Sequence, residues 1–418
     1  GTEKRGARGA VYTATPMYRT PIGTTLLAAF LIASAAPPAR ADDFPLCITE
    51  LRAQATAGGI TAATFDAAMA GVEPDPEVIE AMDQQPEFTL PVWEYIARLV
   101  SEQRVADGKR LLAEWAGVLE DVERAFGVER HVVVAVWGVE SNYGKNLGGR
   151  PLVRSLATAS CFGRRQPFFR TELIETLRIT QKGDMRVEDL NGSWAGAFGH
   201  TQFMPSTFQR LAIDFDGDGR RDIVGSIPDA LASTANYLKK AGWERGKPWG
   251  YEVVLPRGYA GPSGRSTHLS LYRWDQLGIR RYGDRPLSGD APAALLLPAG
   301  VHGPAFIVLS NFDALYAYNA AESYALAIGH LADRLRGGRG FRAAWPLDDP
   351  TLSRSQRIEL QERLSMLGYD VGVADGIIGP RTVDAIKSFQ KTRGLQPDGY
   401  AGQRLLRALI AVPLNSRG

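Results

Sequence analysis

Apolar residues recur at helical spacing through most of the chain between residues 44 and 336. The repeat is clearest in four segments: 92–114, 118–126, 131–140 and 314–335. Two short runs, 251–255 and 305–309, are instead rich in β-branched and aromatic residues and lie among Gly- and Pro-rich loops. The pattern therefore predicts a mainly α domain with minor β content.

A Gly- and Pro-rich stretch over residues 337–350 predicts a linker to a small C-terminal domain, residues 351–412. Helical spacing in that domain predicts helices over 357–367 and 381–392. A weak internal repeat relates two of its turns: Ala374-Asp375-Gly376-x-x-Gly379 and Pro397-Asp398-Gly399-x-x-Gly402. Each turn precedes a helix, so we expect a small three-helix domain built as a pseudo-repeat.

The N-terminus has the pattern of an export signal. A basic start at Met17-Tyr18-Arg19 precedes an apolar run over 24–33, and Ala39-Arg40-Ala41 fits an A-x-A cleavage site. The run is too short to span a membrane comfortably. We therefore expect residues 1–41 to be an upstream extension and a signal peptide, and the mature protein to be soluble and periplasmic. The alternative is a buried N-terminal helix.

Composition narrows the class of protein only a little. The 418 residues are 44% hydrophobic and 22% charged, with a formal net charge of +2, which is ordinary for a globular protein and argues against a dedicated nucleic-acid binder. The chain has two cysteines, Cys47 and Cys161. In an exported protein they permit one disulfide, and two separate buried thiols are the alternative.

The densest apolar run ends in a carboxylate. Residues 132–139 read Val-Val-Val-Ala-Val-Trp-Gly-Val, and Glu140 follows, before Ser-Asn-Tyr-Gly. Desolvation raises the pKa of a carboxylic acid, so that it can hold a proton near neutral pH and donate it. An acid catalyst for glycoside cleavage requires that property. A surface glutamate at a helix end is the alternative, and the Ser-Asn-Tyr-Gly that follows favours the catalytic interpretation.

This stretch resembles the catalytic helix of lytic murein transglycosylases with a lysozyme-like fold, in which Glu-Ser-x-x-Gly carries the sole acid/base. The resemblance is to the membrane-bound lytic transglycosylase B family (glycoside hydrolase family 103) and covers roughly residues 44–335. Residues 191–206, Asn-Gly-Ser-Trp-Ala-Gly-Ala-Phe-Gly-His-Thr-Gln-Phe-Met-Pro-Ser, are similar to a second family element. The resemblance implies that Ser193 hydrogen-bonds the catalytic glutamate and that Gln202 lines the sugar cleft. His200 departs from the family pattern, and we expect a structural histidine rather than a second acid/base.

Other family elements imply further substrate contacts. These residues are Arg164, Arg165, Tyr318, Asn319, Tyr324 and Tyr95. The arginines would bind acidic groups of the glycan or its stem peptide, the asparagine would bind the N-acetyl group, and the tyrosines would stack on sugars or stabilise charge. The alternatives are a solvated basic pair and core packing of the aromatic rings.

An acidic cluster follows the Gln202 element. Oxygen-bearing side chains of Asp214, Asp216 and Asp218, then Gly219 and the backbone carbonyl of Arg220, fit positions 1, 3, 5, 6 and 7 of a calcium loop. The usual glutamate at position 12 is absent, and the family resemblance implies a longer loop closed by Asp229, with Asp222 acting through water. We expect structural Ca²⁺ here and no organic cofactor. The alternative is a solvated acidic turn.

The C-terminal unit resembles the common peptidoglycan-binding domain, through Leu360-Gln361, Leu367-Gly368-Tyr369, the segment 375–382 and Phe389-Gln390. Together the resemblances imply a catalytic domain over 42–336. Its expected activity is cleavage of the β-1,4 bond between N-acetylmuramic acid and N-acetylglucosamine in peptidoglycan, leaving 1,6-anhydromuramyl ends. A hydrolytic muramidase, which generally needs a second carboxylate, and a non-catalytic wall-binding protein are the alternatives.

Overall fold

The computed structural model describes residues 43–82 and 90–413, and the predicted export signal, residues 1–41, lies outside them. Within the described residues the fold is mainly helical, as predicted. The helices are α1 (Phe44–Ala57), α2 (Ala62–Met69), α3 (Pro76–Ala81), α4 (Val92–Leu99), α5 (Glu102–Glu114), α6 (Ala116–Phe126), α7 (Arg130–Ser141), α8 (Leu152–Phe162), α9 (Gln166–Lys182), α10 (Pro205–Leu211), α11 (Ile227–Lys240), α12 (Leu271–Gln276), α13 (Ser310–Tyr318), α14 (Glu322–Leu335), α15 (Arg354–Met366), α16 (Pro380–Thr392) and α17 (Gln403–Ile410). In the described ranges, no helix is long and apolar enough to cross a membrane.

Helix α7 runs through the centre of the larger core. Residues 132–138 are all buried, and α14, α5, α11 and α6 pack around them. A helix enclosed on every side needs apolar residues all round rather than on one stripe. Burial on all sides explains why the densest apolar run of the sequence lies here.

A second core lies between α8, α9 and the N-terminal helices. Cys47 of α1 and Cys161 of α8 form a disulfide across this core, with their Cα atoms 5.9 Å apart. The sequence had left open whether the two cysteines pair. The bond ties the first described helix to a helix 114 residues later.

Two segments predicted as continuous helices are each broken once. The 92–114 segment is α4 and α5, because Ser101 caps a new helix by accepting a hydrogen bond from the N–H of Arg104 at 3.2 Å. The 314–335 segment is α13 and α14, separated by a short non-helical turn at residues 319–321. Apolar spacing continues across both breaks, so the spacing alone could not reveal them.

The strands of the described residues form two sheets. β1 (Arg150–Pro151) pairs with β2 (Asn191–Gly192). The larger antiparallel sheet contains β3 (Gly250–Val254), β4 (His268–Ser270), β5 (Arg280–Arg281), β6 (Pro292–Leu296) and β7 (Ala305–Val308), in the order β4-β6-β7-β3-β5. Alternate residues of β7 enter different cores, Phe306 with the α7 core and Ile307 with a small cluster around Trp274. Burial on both faces therefore produces the continuous apolar run of β7, whereas β3 is only partly buried.

The C-terminal domain has the expected pseudo-repeat of turn and helix. In the first turn the N–H of Gly376 donates to Gln361 Oε1 at 2.7 Å, and in the second the N–H of Gly399 donates to Gln390 Oε1 at 2.9 Å. The second turn also contacts the loop between β6 and β7, since Asp398 Oδ2 accepts from the N–H of Val301 at 3.3 Å. Each turn thus contains the same glycine-to-glutamine hydrogen bond, and the second turn also bonds to a residue outside the small domain.

The predicted linker contacts α4 and α14. The ring of Phe341 stacks on His330 of α14 with centroids 3.8 Å apart, and Trp345 lies 6.2 Å from Trp93 of α4. Aromatic contacts of this size bury substantial apolar area. Phe341 and Trp345 therefore hold the middle of the 337–350 stretch against these helices, while residues 337–340 are exposed.

Candidate active site

Glu140 is half-buried, one residue before the end of α7. The hydroxyl of Tyr324, a buried residue of α14, donates a hydrogen bond to Glu140 Oε1. Burial raises the pKa of Tyr324 well above its ordinary value, and the charge of Glu140 adds to this rise. Tyr324 therefore keeps its proton and acts as a hydrogen-bond donor to the carboxylate. Because its ring is only 3% exposed, Tyr324 cannot stack on a sugar.

Tyr318 and Tyr95 lie beside this pair. The Tyr318 ring is stacked 6.3 Å from that of Tyr324, and its hydroxyl donates to the carbonyl of Thr201 at 2.7 Å. Burial and the charge of Glu140 also raise the pKa of Tyr318. Tyr95 of α4, which is half-buried, also contributes to the raised pKa of Tyr324. The structure thus brings two predicted tyrosines, Tyr324 and Tyr318, close enough to Glu140 to sense its charge, with Tyr95 close to Tyr324.

The turn after Glu140 has an unusual backbone. Asn142 and Tyr143 have φ values of 51° and 62°, a left-handed conformation that is uncommon for a large side chain. The Tyr143 hydroxyl donates to the carbonyl of Arg104 at 2.9 Å, and its ring packs against the surface of α7 at Gly138. Tertiary contacts therefore hold a strained turn directly behind the candidate catalyst.

Ser141 and Gly144 bind the 199–206 loop to α7. The hydroxyl of Ser141 donates to the carbonyl of His200 at 2.6 Å and accepts from the N–H of Gly144 at 2.9 Å. A Cβ atom on Gly144 would lie 2.5 Å from His200 Nδ1, and its φ of 80° also favours glycine. Sequence reasoning located this Glu-Ser-x-x-Gly motif but missed that its serine and glycine connect two elements.

Ser193 and Gln202 lie on the loops that face this turn. Ser193 Oγ accepts from the N–H of Ala197 at 3.0 Å, and its predicted bond to the glutamate stays a prediction. Gln202 has φ 50°, and its amide donates to the carbonyls of Leu147 at 3.1 Å and Gly199 at 2.9 Å. Gln202 therefore braces the segment after α7 against the loop that carries it.

The remaining predicted substrate residues lie at the ends of other helices. Half-buried Asn319 follows α13, and its carbonyl accepts a hydrogen bond from the N–H of Ala321. Exposed Arg164 and Arg165 lie between α8 and α9. Arg164 donates to the Met82 carbonyl at 3.4 Å, and the Arg165 guanidinium lies 4.3 Å from the Phe168 ring centre. Their predicted contacts with substrate stay predictions.

Three of the predicted calcium ligands converge in the acidic loop. Oxygens of Asp214, Asp216 and Asp229 all lie within 4.8 Å of one another. Asp218 is oriented differently, since its carboxylate accepts from the N–H of Arg220 at 2.8 Å and pairs with its guanidinium at 3.2 Å. Three carboxylates this close repel each other without a counter-ion, and hard oxygen ligands suit Ca²⁺. The donor set therefore fits a hard cation.

Asp229 forms the buried base of this loop. Its carboxylate accepts backbone N–H bonds from Phe215 at 2.7 Å, Asp216 at 3.3 Å and Asp222 at 2.8 Å. Burial raises the pKa of Asp229, and these three N–H groups oppose the rise. Asp222 turns its own carboxylate to the N–H groups of Val224 and Gly225. The loop is thus organised around Asp229, at the first turn of α11.

A half-buried carboxylate that accepts a tyrosine hydroxyl, in a mainly α domain with a small repeat domain attached, is the arrangement of a candidate glycan-cleaving enzyme. The family described as "Transglycosylase SLT domain" matches residues 43–333, and "Putative peptidoglycan binding domain" matches residues 353–409. The chain belongs to the transglycosylase SLT-domain family. These matches agree with the resemblance and the lysozyme-like fold expected from the sequence motifs.

Three known proteins are similar to this chain. The structure of SltB3 from Pseudomonas aeruginosa in complex with NAG-anhNAM-pentapeptide is 48% identical, with a TM-score of 0.86, over 88% of this chain and 99% of that one. Membrane-bound lytic murein transglycosylase B of Escherichia coli (strain K12) is 31% identical over 57% of this chain and 65% of its own length, just under two thirds. Escherichia coli lytic transglycosylase Slt35, solved in complex with calcium, is 26% identical with a TM-score of 0.62, over 69% of this chain and 92% of that one.

Proposed function

We propose that this protein is a lytic transglycosylase that cleaves the β-1,4 bond between N-acetylmuramic acid and N-acetylglucosamine in peptidoglycan. The observation that carries the proposal is the position of Glu140, at the end of a buried helix with the Tyr324 hydroxyl on its carboxylate. The complex of SltB3 with NAG-anhNAM-pentapeptide supports the same substrate class. Family membership supports the reaction type.

In the proposed reaction Glu140 acts first as an acid and then as a base. Its proton passes to the glycosidic oxygen as the bond from C1 of the muramyl residue to that oxygen breaks. The resulting carboxylate then accepts the proton of the muramyl C6 hydroxyl while O6 forms a bond to C1. The product is a 1,6-anhydromuramyl end, and no water is consumed. One carboxyl group suffices because the substrate supplies the nucleophile.

The neighbouring side chains support this cycle in different ways. Tyr324 orients the carboxylate, and Tyr318 holds the 199–206 loop beside it. The amide donors of Gln202 are used on carbonyls of the protein, so we propose that its carbonyl oxygen accepts from the glycan. Asn319, Tyr95 and Ser193 are the further proposed substrate and carboxylate contacts, with Arg164 and Arg165 for acidic groups of the stem peptide.

The competing reaction is hydrolysis, for which a second carboxylate would activate water. Family membership supports the single-carboxylate reaction over hydrolysis.

The test is mass spectrometry of the muropeptides released from purified sacculi. Anhydro ends, one water lighter than reducing ends, are expected from the wild type. Glu140→Gln keeps the shape of the side chain and should abolish release while still binding sacculi. Predominantly reducing ends would establish the muramidase instead, and full activity of Glu140→Gln would overturn the assignment of the catalyst.

We also propose that the acidic loop binds structural Ca²⁺ through Asp214, Asp216 and Asp229, with Asp218 and the Arg220 carbonyl completing the set once the ion is present. The calcium complex of Slt35 supports this choice of ion. Calcium should raise the melting temperature of the wild type, because a ligand that binds only the folded state stabilises it. Asp214→Asn should lose that rise, and Asp284→Asn, an exposed aspartate in another loop, should keep it. A melting temperature that changes with neither calcium nor chelator would contradict the proposed calcium site.

Export to the periplasm and anchoring by the C-terminal domain complete the proposal. A domain that binds peptidoglycan raises the effective concentration of the cleft at an insoluble substrate. We keep the proposed boundaries of 42–336 for the catalytic domain and 351–412 for the binding domain. N-terminal sequencing of protein recovered from the periplasm should begin at Asp42. Recovery of unprocessed protein in the cytoplasm would contradict export.

A further inference from the structure

We propose that His200 is a positioning residue that connects the acidic loop to the catalytic helix, so that metal binding in the loop is transmitted to the turn of α7 that carries Glu140. This inference rests on the proposed function. It assigns a role to the residue at which the sequence departs from the family pattern.

The first half of the connection joins His200 to α7. The indole N–H of Trp137 donates to His200 Nδ1 at 3.0 Å, and the two rings meet edge to face with centroids 5.6 Å apart. Trp137 lies three residues before Glu140, on the neighbouring turn of the same helix face. The Ser141 hydroxyl binds the His200 carbonyl from the other side of Glu140. His200 thus contacts α7 on both sides of the candidate catalyst.

The second half joins His200 to the acidic loop. The N–H of His200 donates to the carbonyl of Ile223 at 2.9 Å, and the backbone of the next residue, Val224, lies close enough to the imidazole to oppose the fall in its pKa. These two residues directly follow Asp222, whose N–H donates to Asp229 Oδ2 at 2.8 Å. A continuous path of hydrogen bonds and backbone therefore runs from a proposed calcium ligand through His200 to Trp137.

The chemistry of the ring requires one tautomer. Indole is only a donor, so Nδ1 must present its lone pair to Trp137, and the ring proton then lies on Nε2. The remaining N–H is the one available to a carbonyl such as that of Val224. Burial lowers the pKa of His200, which favours this neutral form. A neutral imidazole with one acceptor and one donor thus bridges two elements, as ring nitrogens do around metal sites.

The Gly residues around His200 show how closely these parts fit. A Cβ on Gly144 would lie 2.5 Å from His200 Nδ1, and a Cβ on Gly199 would lie 2.7 Å from the Ile223 carbonyl oxygen. Tightly packed contacts of this kind transmit a shift instead of absorbing it. When calcium draws its three carboxylates together, the 222–224 backbone should move or stiffen, and His200 should pass that change to Trp137.

The experiment follows the indole ¹⁵N–¹H resonance of Trp137, identified with Trp137→Phe, during a calcium titration of the full chain. In the wild type we expect this resonance to shift in step with calcium binding measured by calorimetry. His200→Phe keeps a flat ring but removes both polar contacts, so the shift should vanish and calcium affinity should fall roughly tenfold. On sacculi its kcat should fall about as much, with KM nearly unchanged. His200→Gln retains an acceptor and a donor, so its Trp137 resonance shift, calcium affinity and kcat should be close to those of the wild type.

Controls separate this inference from the proposed function. His131→Phe changes a half-buried histidine at the opposite end of α7 and should behave as wild type. Trp137→Phe removes the same hydrogen bond from the helix side, and its calcium affinity should also fall, which provides a second test if His200→Phe folds poorly. The proposed role of His200 would be refuted by a Trp137 resonance that stays unchanged when calcium binds. Wild-type calcium affinity in His200→Phe would also refute it. Failure to produce anhydro ends would instead overturn the proposed reaction, and the resonance would still report the connection.

Discussion

Replacing Gly138 by alanine should damage the protein although alanine is the better helix former. A Cβ at this position would lie 2.7 Å from Cζ of Tyr143 and 2.8 Å from its Cε1 and hydroxyl oxygen, closer than such atoms approach in folded proteins. The ring cannot easily move, because Tyr143 is held by its left-handed backbone and by its bond to the Arg104 carbonyl. Forcing an extra methyl group into a packed core costs about 1–3 kcal/mol, and losing the hydroxyl bond adds about 1 kcal/mol.

The higher helix propensity of alanine offsets about 1 kcal/mol of this cost, so the net destabilisation of Gly138→Ala should be about 1–3 kcal/mol. The displaced ring also moves the turn behind Glu140, and misplacement on the order of 1 Å costs up to about 100-fold in rate. The assay is urea unfolding together with release of anhydromuropeptides. Gly117→Ala is the matched control, because a Cβ there has no neighbour within 4 Å, and it should be neutral or slightly stabilising.

The same substitution in a Tyr143→Ala background should cost little, since the clashing ring is gone. A Gly138→Ala protein as stable and active as the wild type, beside a normal Gly117→Ala control, would refute this explanation of the turn.

Three further predictions concern the disulfide, the candidate catalyst and pH. Replacing Cys47 and Cys161 by serine should lower the free energy of unfolding by up to about 4.7 kcal/mol, the entropic estimate for a loop near the observed 114 residues, and an unchanged urea midpoint would contradict it. Tyr324→Phe removes a hydrogen bond to a charged group, worth about 1.5–3 kcal/mol, so kcat should fall roughly 10- to 150-fold with little change in melting, and an unaltered kcat would exclude the orienting role. Burial lowers the pKa of His330 to about 4, so the neutral ring stabilises the fold fully above its unfolded value near 6.5 and loses this contribution as pH falls from there to about 4. His330→Phe should keep the stack on Phe341 and flatten that acid-side decline, and an identical pH dependence of melting in both proteins would rule this out.

Local sequence features predicted much of the site. The apolar run of α7 placed Glu140 at a helix end because a helix buried on all sides cannot accommodate polar residues except near its termini. The spacing of Asp214 and Asp216 predicted a cation loop because side chains two apart in an irregular loop can converge on one ion. The two Asp-Gly turns of the C-terminal domain were recognisable because glycine is needed where φ is positive, as at Gly376 and Gly399.

Other features were beyond local patterns. Tyr324 lies 184 residues from Glu140 in sequence, and only the packing of α14 against α7 brings its hydroxyl to the carboxylate. The family resemblance placed Tyr324 in the site but not as the donor to the catalyst. Asp218 fits the loop spacing, yet in this structure it pairs with Arg220, because a nearby guanidinium competes for the carboxylate.

The sequence alone was enough to predict the helical class, the position of Glu140 and the repeat of the C-terminal domain, because periodicity and turn chemistry act over a few residues. The tertiary structure decided the disulfide, the Tyr324 hydroxyl on Glu140 and the position of His200 beside Trp137. These features join groups more than fifty residues apart in the chain, and a hydrogen bond between distant groups leaves no spacing in the sequence by which to find it.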